Sequence, residues 1–148
     1  MKRIMMLLII ALTVYKASGQ QPVLWTASAK PLKDNTFEIR LIASISDGWY
    51  IYSQFMGNKG PLPTSITYKK NPSVDILGKV EEIGELKQKY ESSFGIDVKY
   101  YYNKVEFIQQ VKLNGKLPVT LNGSVAYMGC NAQMCMPPQV EDFKVVLR

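Results

Sequence analysis

The chain of 148 residues contains no histidine. A Ser-His-Asp triad, a Cys-His hydrolase pair, a His-ligated zinc and a His-ligated haem are therefore excluded within it. Proton transfer is left to carboxylates, Lys, Tyr or Cys. Cysteine is scarce too, with only Cys130 and Cys135 present. No apolar run reaches the ~20 residues that a membrane-spanning helix needs, and the longest, 4–14, falls well short. No basic cluster exceeds the pair Lys69-Lys70, and neither an RNP-like motif nor a recognition-helix pattern occurs. Nothing in the sequence therefore points to nucleic acid.

What is present begins with a processing signal. Lys2 and Arg3 precede the apolar stretch 4–14, and the small residues Ala17-Ser18-Gly19 follow. A charged start, a short apolar run and a small-residue exit predict a cleaved secretory signal over 1–19 and one domain over 20–148. Neither cysteine lies near that exit, so a lipid-modified cysteine anchor is excluded there. The 18 basic and 12 acidic residues give +6; losing Lys2, Arg3 and Lys16 leaves +3. Hydrophobic content of 47% and charged content of 20% are globular values. The mature chain is expected outside the cytoplasm, without a transmembrane segment, where disulfides persist.

From residue 20 onward the pattern is one of strands. Residues 36–45 alternate apolar and polar for most of their length, and Trp49-Tyr50-Ile51-Tyr52 is aromatic and β-branched. Further runs cover 64–69, 74–80, 98–102, 105–113, 118–127 and 143–147. Turn residues separate them, including Lys33-Asp34-Asn35, Asp47-Gly48, Asn114-Gly115 and Asn122-Gly123. Short runs at regular spacing predict an all-β sandwich or barrel in a single domain. Asn114-Gly115 is expected to close a hairpin between 105–113 and 118–127. Only 80–88 has a helix-like reading, and it is short and holds Gly84. The expected core is Trp25, Ile39, Leu41, Ile45, Ile66, Ile76, Phe107, Val111, Leu121 and Val125. Glu81, Glu82 and Glu85 read as a solvated turn. Tyr100-Tyr101-Tyr102 reads as a strand with one face buried and the other half-covered.

Both cysteines lie in Tyr127-Met128-Gly129-Cys130-Asn131-Ala132-Gln133-Met134-Cys135-Met136-Pro137-Pro138. Three chemistries fit. A structural bridge over so short a loop removes only roughly 2 kcal/mol of denatured-state entropy, so it is a poor staple. Three thioethers around two thiols suit Cu(I), which would make the chain a copper carrier. A working dithiol/disulfide pair opens and closes without unfolding a domain. Gly129 permits an unusual backbone there, and Pro137-Pro138 stiffens the exit. With no His or adjacent Lys to lower a thiol pKa, such a pair would exchange passively with a more reactive partner thiolate.

The stretch YMGCNAQMCMPP resembles the cysteine loop of the N-terminal periplasmic domain of DsbD-type thiol:disulfide interchange proteins. That family's pattern is Tyr-x-Gly-Cys, a short loop, then Cys-x-Pro-Pro. Asp47-Gly48-Trp49-Tyr50-Ile51-Tyr52 is similar to the family's Asp-Gly-aromatic-Tyr-apolar-Tyr strand, and the resemblance spans nearly all of 20–148. It implies an immunoglobulin-like β-sandwich in the periplasm, with a redox pair on a loop and no cofactor or metal. It implies electron transfer from a membrane thiol transporter or thioredoxin-like donor to periplasmic thiol-disulfide proteins, as in cytochrome c biogenesis. By the same resemblance Cys135 forms mixed disulfides and Cys130 resolves them. Tyr50 and Tyr52 border the site. Phe94, in Glu91-Ser92-Ser93-Phe94-Gly95, matches the phenylalanine of a shielding cap loop.

Two departures stand out. Four residues separate the cysteines where the best-known family form has five, and Ser92-Ser93 replaces an acidic pair before the cap phenylalanine. Beside the redox reading stand the Cu(I) carrier and an interaction sandwich with a structural bridge.

Overall fold

The computed structural model describes residues 21–57 and 59–148, so the expected signal over 1–19 lies outside the described residues. The β-branched and aromatic runs fold as strands in chain order. They are β1 (Val23–Pro31), β2 (Thr36–Ile45), β3 (Tyr50–Tyr52), β4 (Ser65–Tyr68), β5 (Val74–Glu91), β6 (Ile96–Leu113), β7 (Val119–Tyr127), β8 (Gly129–Cys130) and β9 (Gln139–Leu147). Among the described residues no helix is long and apolar enough to cross a membrane.

Two antiparallel sheets form a sandwich. The larger has the order β1-β2-β6-β3-β8, with β5 along the other edge of β6; the smaller is β4-β7-β9. The β1–β2 turn uses Asp34 at φ 57° and Asn35 at φ 56°. Asn and Asp are the non-glycine residues that tolerate this region best. Alternation along β2 buries Phe37, Ile39, Leu41, Ala43 and Ile45 against the smaller sheet and turns the intervening residues outward. Val105, Phe107 and Val111 of β6 complete that side, and Leu121, Val125, Val145 and Leu147 face them from β7 and β9.

Several expectations need correcting. Residues 98–102 and 105–113 form one strand, β6. The ambiguous 80–88 is strand, in the middle of the 18-residue β5. Asn114-Gly115 closes no hairpin, because β6 and β7 lie in different sheets; residues 114–118 cross between them and include a cis Leu117-Pro118 bond. Asn122-Gly123-Ser124 is not a turn but mid-β7, where Gly123 lies between Tyr68 and Phe143, its cross-strand neighbours. A Cβ at Gly123 would meet the Phe143 ring and come within 2.6 Å of the Thr67 carbonyl, so only glycine fits. Of the expected core, Ile76 is 43% exposed, and Trp25 and Ile66 are half-buried against the core. Ile76 opposes buried Val111, but it belongs to an edge strand that is exposed along nearly its whole length.

Candidate active site on the outer face of the larger sheet

The site arises where β6 changes partner. Its pairing with β2 ends at Ser44↔Lys104, Asn103 takes φ 59°, and β3 then follows with Tyr50↔Tyr102 and Tyr52↔Tyr100. β3 in turn carries β8, with Tyr50↔Cys130 and Ile51↔Gly129. Directly opposed residues share a sheet face. Tyr50, Tyr52, Tyr100, Tyr102 and Cys130 therefore lie on one face, and Ile51 and Tyr101 on the other. Ile51 and Tyr101 sit in the core between the sheets, so the tyrosines and Cys130 occupy the outer face.

Cys130 and Cys135 are joined by a disulfide with S–S 2.04 Å. The two ends differ sharply in access: Cys130 is 0% exposed and Cys135 lies in an exposed stretch. Cys130 packs with Tyr52 and Val98, and Met56, Ile96 and Met128 close around them. The intervening loop satisfies its own backbone. Asn131 Oδ1 accepts from the Gln133 and Met134 amides at 2.9 Å, and the Asn131 amide donates to the Met134 carbonyl at 2.8 Å. This is an Asx-type turn, a conformation that asparagine favours. The Met136 amide donates to the Gly129 carbonyl at 2.8 Å, which ties both ends of the loop to β8.

Beside Cys130 the four outward tyrosines form one cluster. The Tyr50 ring lies 5.6 Å from Tyr52, 5.0 Å from Tyr100 and 5.5 Å from Tyr102, and Tyr100 lies 5.5 Å from Tyr102. Tilted and edge-on packing at these separations is favourable for aromatic rings. The Lys89 ammonium stands 5.9 Å from the Tyr50 ring centre and 5.8 Å from that of Tyr100, in cation–π range. It also lies 3.3 Å from Glu91. Burial, reinforced by Tyr50, pushes the Tyr52 hydroxyl well above the usual tyrosine range. Burial opposes the Lys89 charge, but the bond to Glu91 and the fields of Tyr50 and Glu91 outweigh it, and its pKa is raised. At neutral pH the face therefore carries a neutral Tyr52 and a fixed positive charge.

The chain leaving β3 is pinned at its first residues. Glu82, on β5, accepts from Ser53 Oγ at 2.7 Å, the Gln54 amide at 2.7 Å and the Tyr101 hydroxyl at 2.8 Å. Glu82 was expected in a solvated turn; instead it is half-buried on a strand with three donors around it. The Ser53 amide donates to the Lys99 carbonyl at 2.9 Å, and Thr64 Oγ1 donates to the Tyr52 carbonyl at 2.6 Å. Further along, a Cβ at Gly60 would lie 2.8 Å from Ile96 Cδ1, so this loop runs hard against the wall of the Cys130 pocket.

Phe94 lies in the β5–β6 turn, whose Phe94 and Gly95 amides donate to the Glu91 carbonyl at 3.1 and 2.9 Å. It is 46% exposed, two residues before the Ile96 that packs around Cys130. The sequence thus placed Tyr50, Tyr52, Cys130 and Cys135 in one neighbourhood, with Phe94 on the adjoining turn. It missed Tyr100, Tyr102, Lys89 and Glu82 as neighbours of the site. The period-2 repetition of Tyr50/Tyr52 and Tyr100/Tyr102 was the one available signal for the tyrosines. Among the described residues no group of three or more Cys, Asp or Glu side chains converges as a metal site. Of the loop methionines, Met128 packs beside Cys130 and Met134 is 54% exposed.

Comparison with known proteins gives the following. The sequence model of the family described as thiol:disulfide interchange protein DsbD, N-terminal, matches residues 20–147. No curated protein matches. Among solved structures, the reduced N-terminal domain of Neisseria meningitidis DsbD is similar at 16% identity and TM-score 0.56, over 84% of this chain and 85% of that one. The complex between the DsbD and PilB N-terminal domains of the same organism contains a chain similar at 16% identity and TM-score 0.52, covering 82% and 80%. The N-terminal periplasmic domain of ScsB from Proteus mirabilis is similar at 19% identity and TM-score 0.53, over 84% of this chain and 44% of that one. At such identities the likeness is one of fold: the sandwich is immunoglobulin-like.

Proposed function

The chain belongs to the family of N-terminal domains of the thiol:disulfide interchange protein DsbD, with a role in thiol–disulfide interchange, and we propose that it is a periplasmic electron carrier working through Cys130 and Cys135. The observation that carries this reading is the unequal access to the two sulfurs of one bridge. Exchange needs an attacking thiolate in line with an accessible sulfur. A partner thiolate reaches Cys135 and breaks the bridge; the electron pair of that bond leaves with Cys130, which takes up a proton within its pocket. The partner's second cysteine, as its thiolate, then attacks the mixed disulfide at the partner's own sulfur and carries away the new disulfide, and the released Cys135 thiolate takes up a proton from solvent. The domain has gained two electrons and two protons. Run in reverse, Cys135 attacks an oxidised acceptor and Cys130 resolves the adduct.

Tyr50 and Tyr52 wall the pocket and Phe94 caps it, so that small thiols react slowly while a docked protein gains access. The donor is a membrane thiol transporter or a thioredoxin-like domain, and the acceptors are periplasmic thiol-disulfide proteins. The Neisseria relative's complex with the N-terminal domain of PilB supports a protein partner. Residues 1–19 serve as a cleaved signal in this reading.

The test uses single Cys→Ser variants with a thioredoxin-like partner that lacks its own resolving cysteine. A reductant-sensitive adduct accumulates with Cys130→Ser and is scarce with Cys135→Ser. The opposite pattern would invert the roles, and no adduct with either variant would remove the carrier reading.

A further inference from the structure

The strand β5 is 18 residues long, and among the described residues it pairs only with β6, leaving its other edge open. Long open edges are templates for pairing with another chain. This one also exposes large apolar side chains: Ile83 is 53%, Leu86 46% and Tyr90 67% exposed. None of these is taken up by the cysteine site. The register with β6 puts Glu81, Ile83, Lys87, Lys89 and Glu91 on the outer face and Glu82, Gly84, Leu86, Gln88 and Tyr90 on the core side. It shifts between Leu77 and Glu81, where Val80 packs toward the core, and between Gly84 and Leu86, and alternation carries Lys79 and Glu85 to the outer face.

The sequence of β5 is close to self-complementary when read antiparallel to itself about Glu85. Residue i then stands opposite residue 170 − i. On the outer face Lys79 meets Glu91, Glu81 meets Lys89 and Ile83 meets Lys87. On the core-side face Val80 meets Tyr90, Glu82 meets Gln88 and Gly84 meets Leu86. Each pairing occurs twice across a two-fold axis, giving four opposite-charge pairs. The single like-charge pair is Glu85 with itself, and each Glu85 already has its own Lys87 as an ion-pair partner. A slip of two residues in one direction sets Lys79 opposite Lys89 twice and keeps only Glu81 opposite Lys87 twice. A slip in the other sets Glu81 opposite Glu91 twice and keeps only Glu85 opposite Lys87 twice, against four unlike pairs and one like pair about Glu85. Directly opposed charges of unlike sign stabilise a strand pair and like charges oppose it. Edge lysines that would otherwise block strand addition here select one register.

We propose that the protein self-associates through β5, two copies pairing antiparallel about Glu85 to form one continuous sheet. The axis is perpendicular to that sheet, so both outer faces, with their cysteines, remain on the same side and open to partners. The proposal does not rest on the thiol-exchange reading, although the interface shares Lys89 and Glu91 with the edge of the tyrosine cluster, where the two already pair within one chain at 3.3 Å.

Sedimentation velocity of the oxidised protein across micromolar to millimolar concentrations tests it. The wild type shows a monomer–dimer equilibrium. Glu81→Lys places lysine opposite Lys89 twice and weakens the dimer about tenfold, whereas Glu81→Lys with Lys89→Glu restores it. Glu85→Gln removes the one like-charge pair and tightens the dimer. Circular dichroism of each variant confirms the fold. A wild type that stays monomeric throughout, or a dimer indifferent to Glu81→Lys and Glu85→Gln, overturns the proposal.

Discussion

At the scale of single residues, the two ends of one disulfide have been given different surroundings. Cys130 is held among Tyr52, Val98 and Met128, while the Asn131 turn presents Cys135 outward. Phe94 belongs to this scale as well. Its side chain is 46% exposed on a turn that adjoins the pocket wall, so removing it takes little from the core. Phe94→Ala is expected to speed reduction of the bridge by a small thiol severalfold and to leave the urea midpoint nearly unchanged. An unchanged rate with unchanged stability would show that Phe94 is no cap. The cysteines were legible because their spacing and flanking residues form a local motif, whereas Tyr50 and Tyr52 were tied to them only by the family resemblance. Lys89 was not legible: it is 41 positions before Cys130 in the chain, and only the β5–β6–β3 register brings it over Tyr50. Ile76 shows the same limit from the other side. Alternation gave its face correctly, but not whether the facing sheet extends far enough to cover it.

At the scale of elements, local signals located strands better than they located partners. Residues 36–45 are a strand as expected, because their alternation matches a sheet with one buried face. Asn114-Gly115 marks a real break in the chain, but a turn signal does not say in which sheet the next strand will pair. Long-range hydrogen bonds decide such matters, and Glu82 is the clearest instance: one carboxylate joins β5 to the exit of β3 and to Tyr101 of β6. Hydrogen bonds to a charged group are worth roughly 1.5–3 kcal/mol each when buried, and less at a half-buried site. Glu82→Ala is therefore expected to destabilise the fold by about 2–4 kcal/mol, measured by urea denaturation. It is also expected to loosen the segment after Tyr52, seen as faster amide hydrogen exchange at Gln54 and Phe55. A change below 0.5 kcal/mol, roughly the effect of an ordinary surface substitution, would mean that the carboxylate organises nothing.

At the scale of the molecule, the sandwich separates two tasks. Its inner layer holds the strands together, and the redox loop sits on the outer face, so bridge chemistry proceeds beside the core rather than inside it. The tyrosines are divided along the same line, since Tyr68, Tyr101 and Tyr127 lie toward the interior and Tyr52 lines the cysteine pocket. Burial raises the pKa of all four, Tyr127 to about 12 and the other three further. In the unfolded chain tyrosine ionises near 10. Above about pH 10 the unfolded state has therefore released protons that the folded state retains, and stability falls with rising pH. The contribution of these rings is complete below pH 10 and is lost as the pH passes through 12 and beyond. The expected outcome is an alkaline transition in which the tyrosinate absorbance of the buried rings and the loss of the far-ultraviolet β signal coincide. If every tyrosine ionised near pH 10 while the β signal persisted, the buried rings would be open to water and this division of the molecule would be wrong.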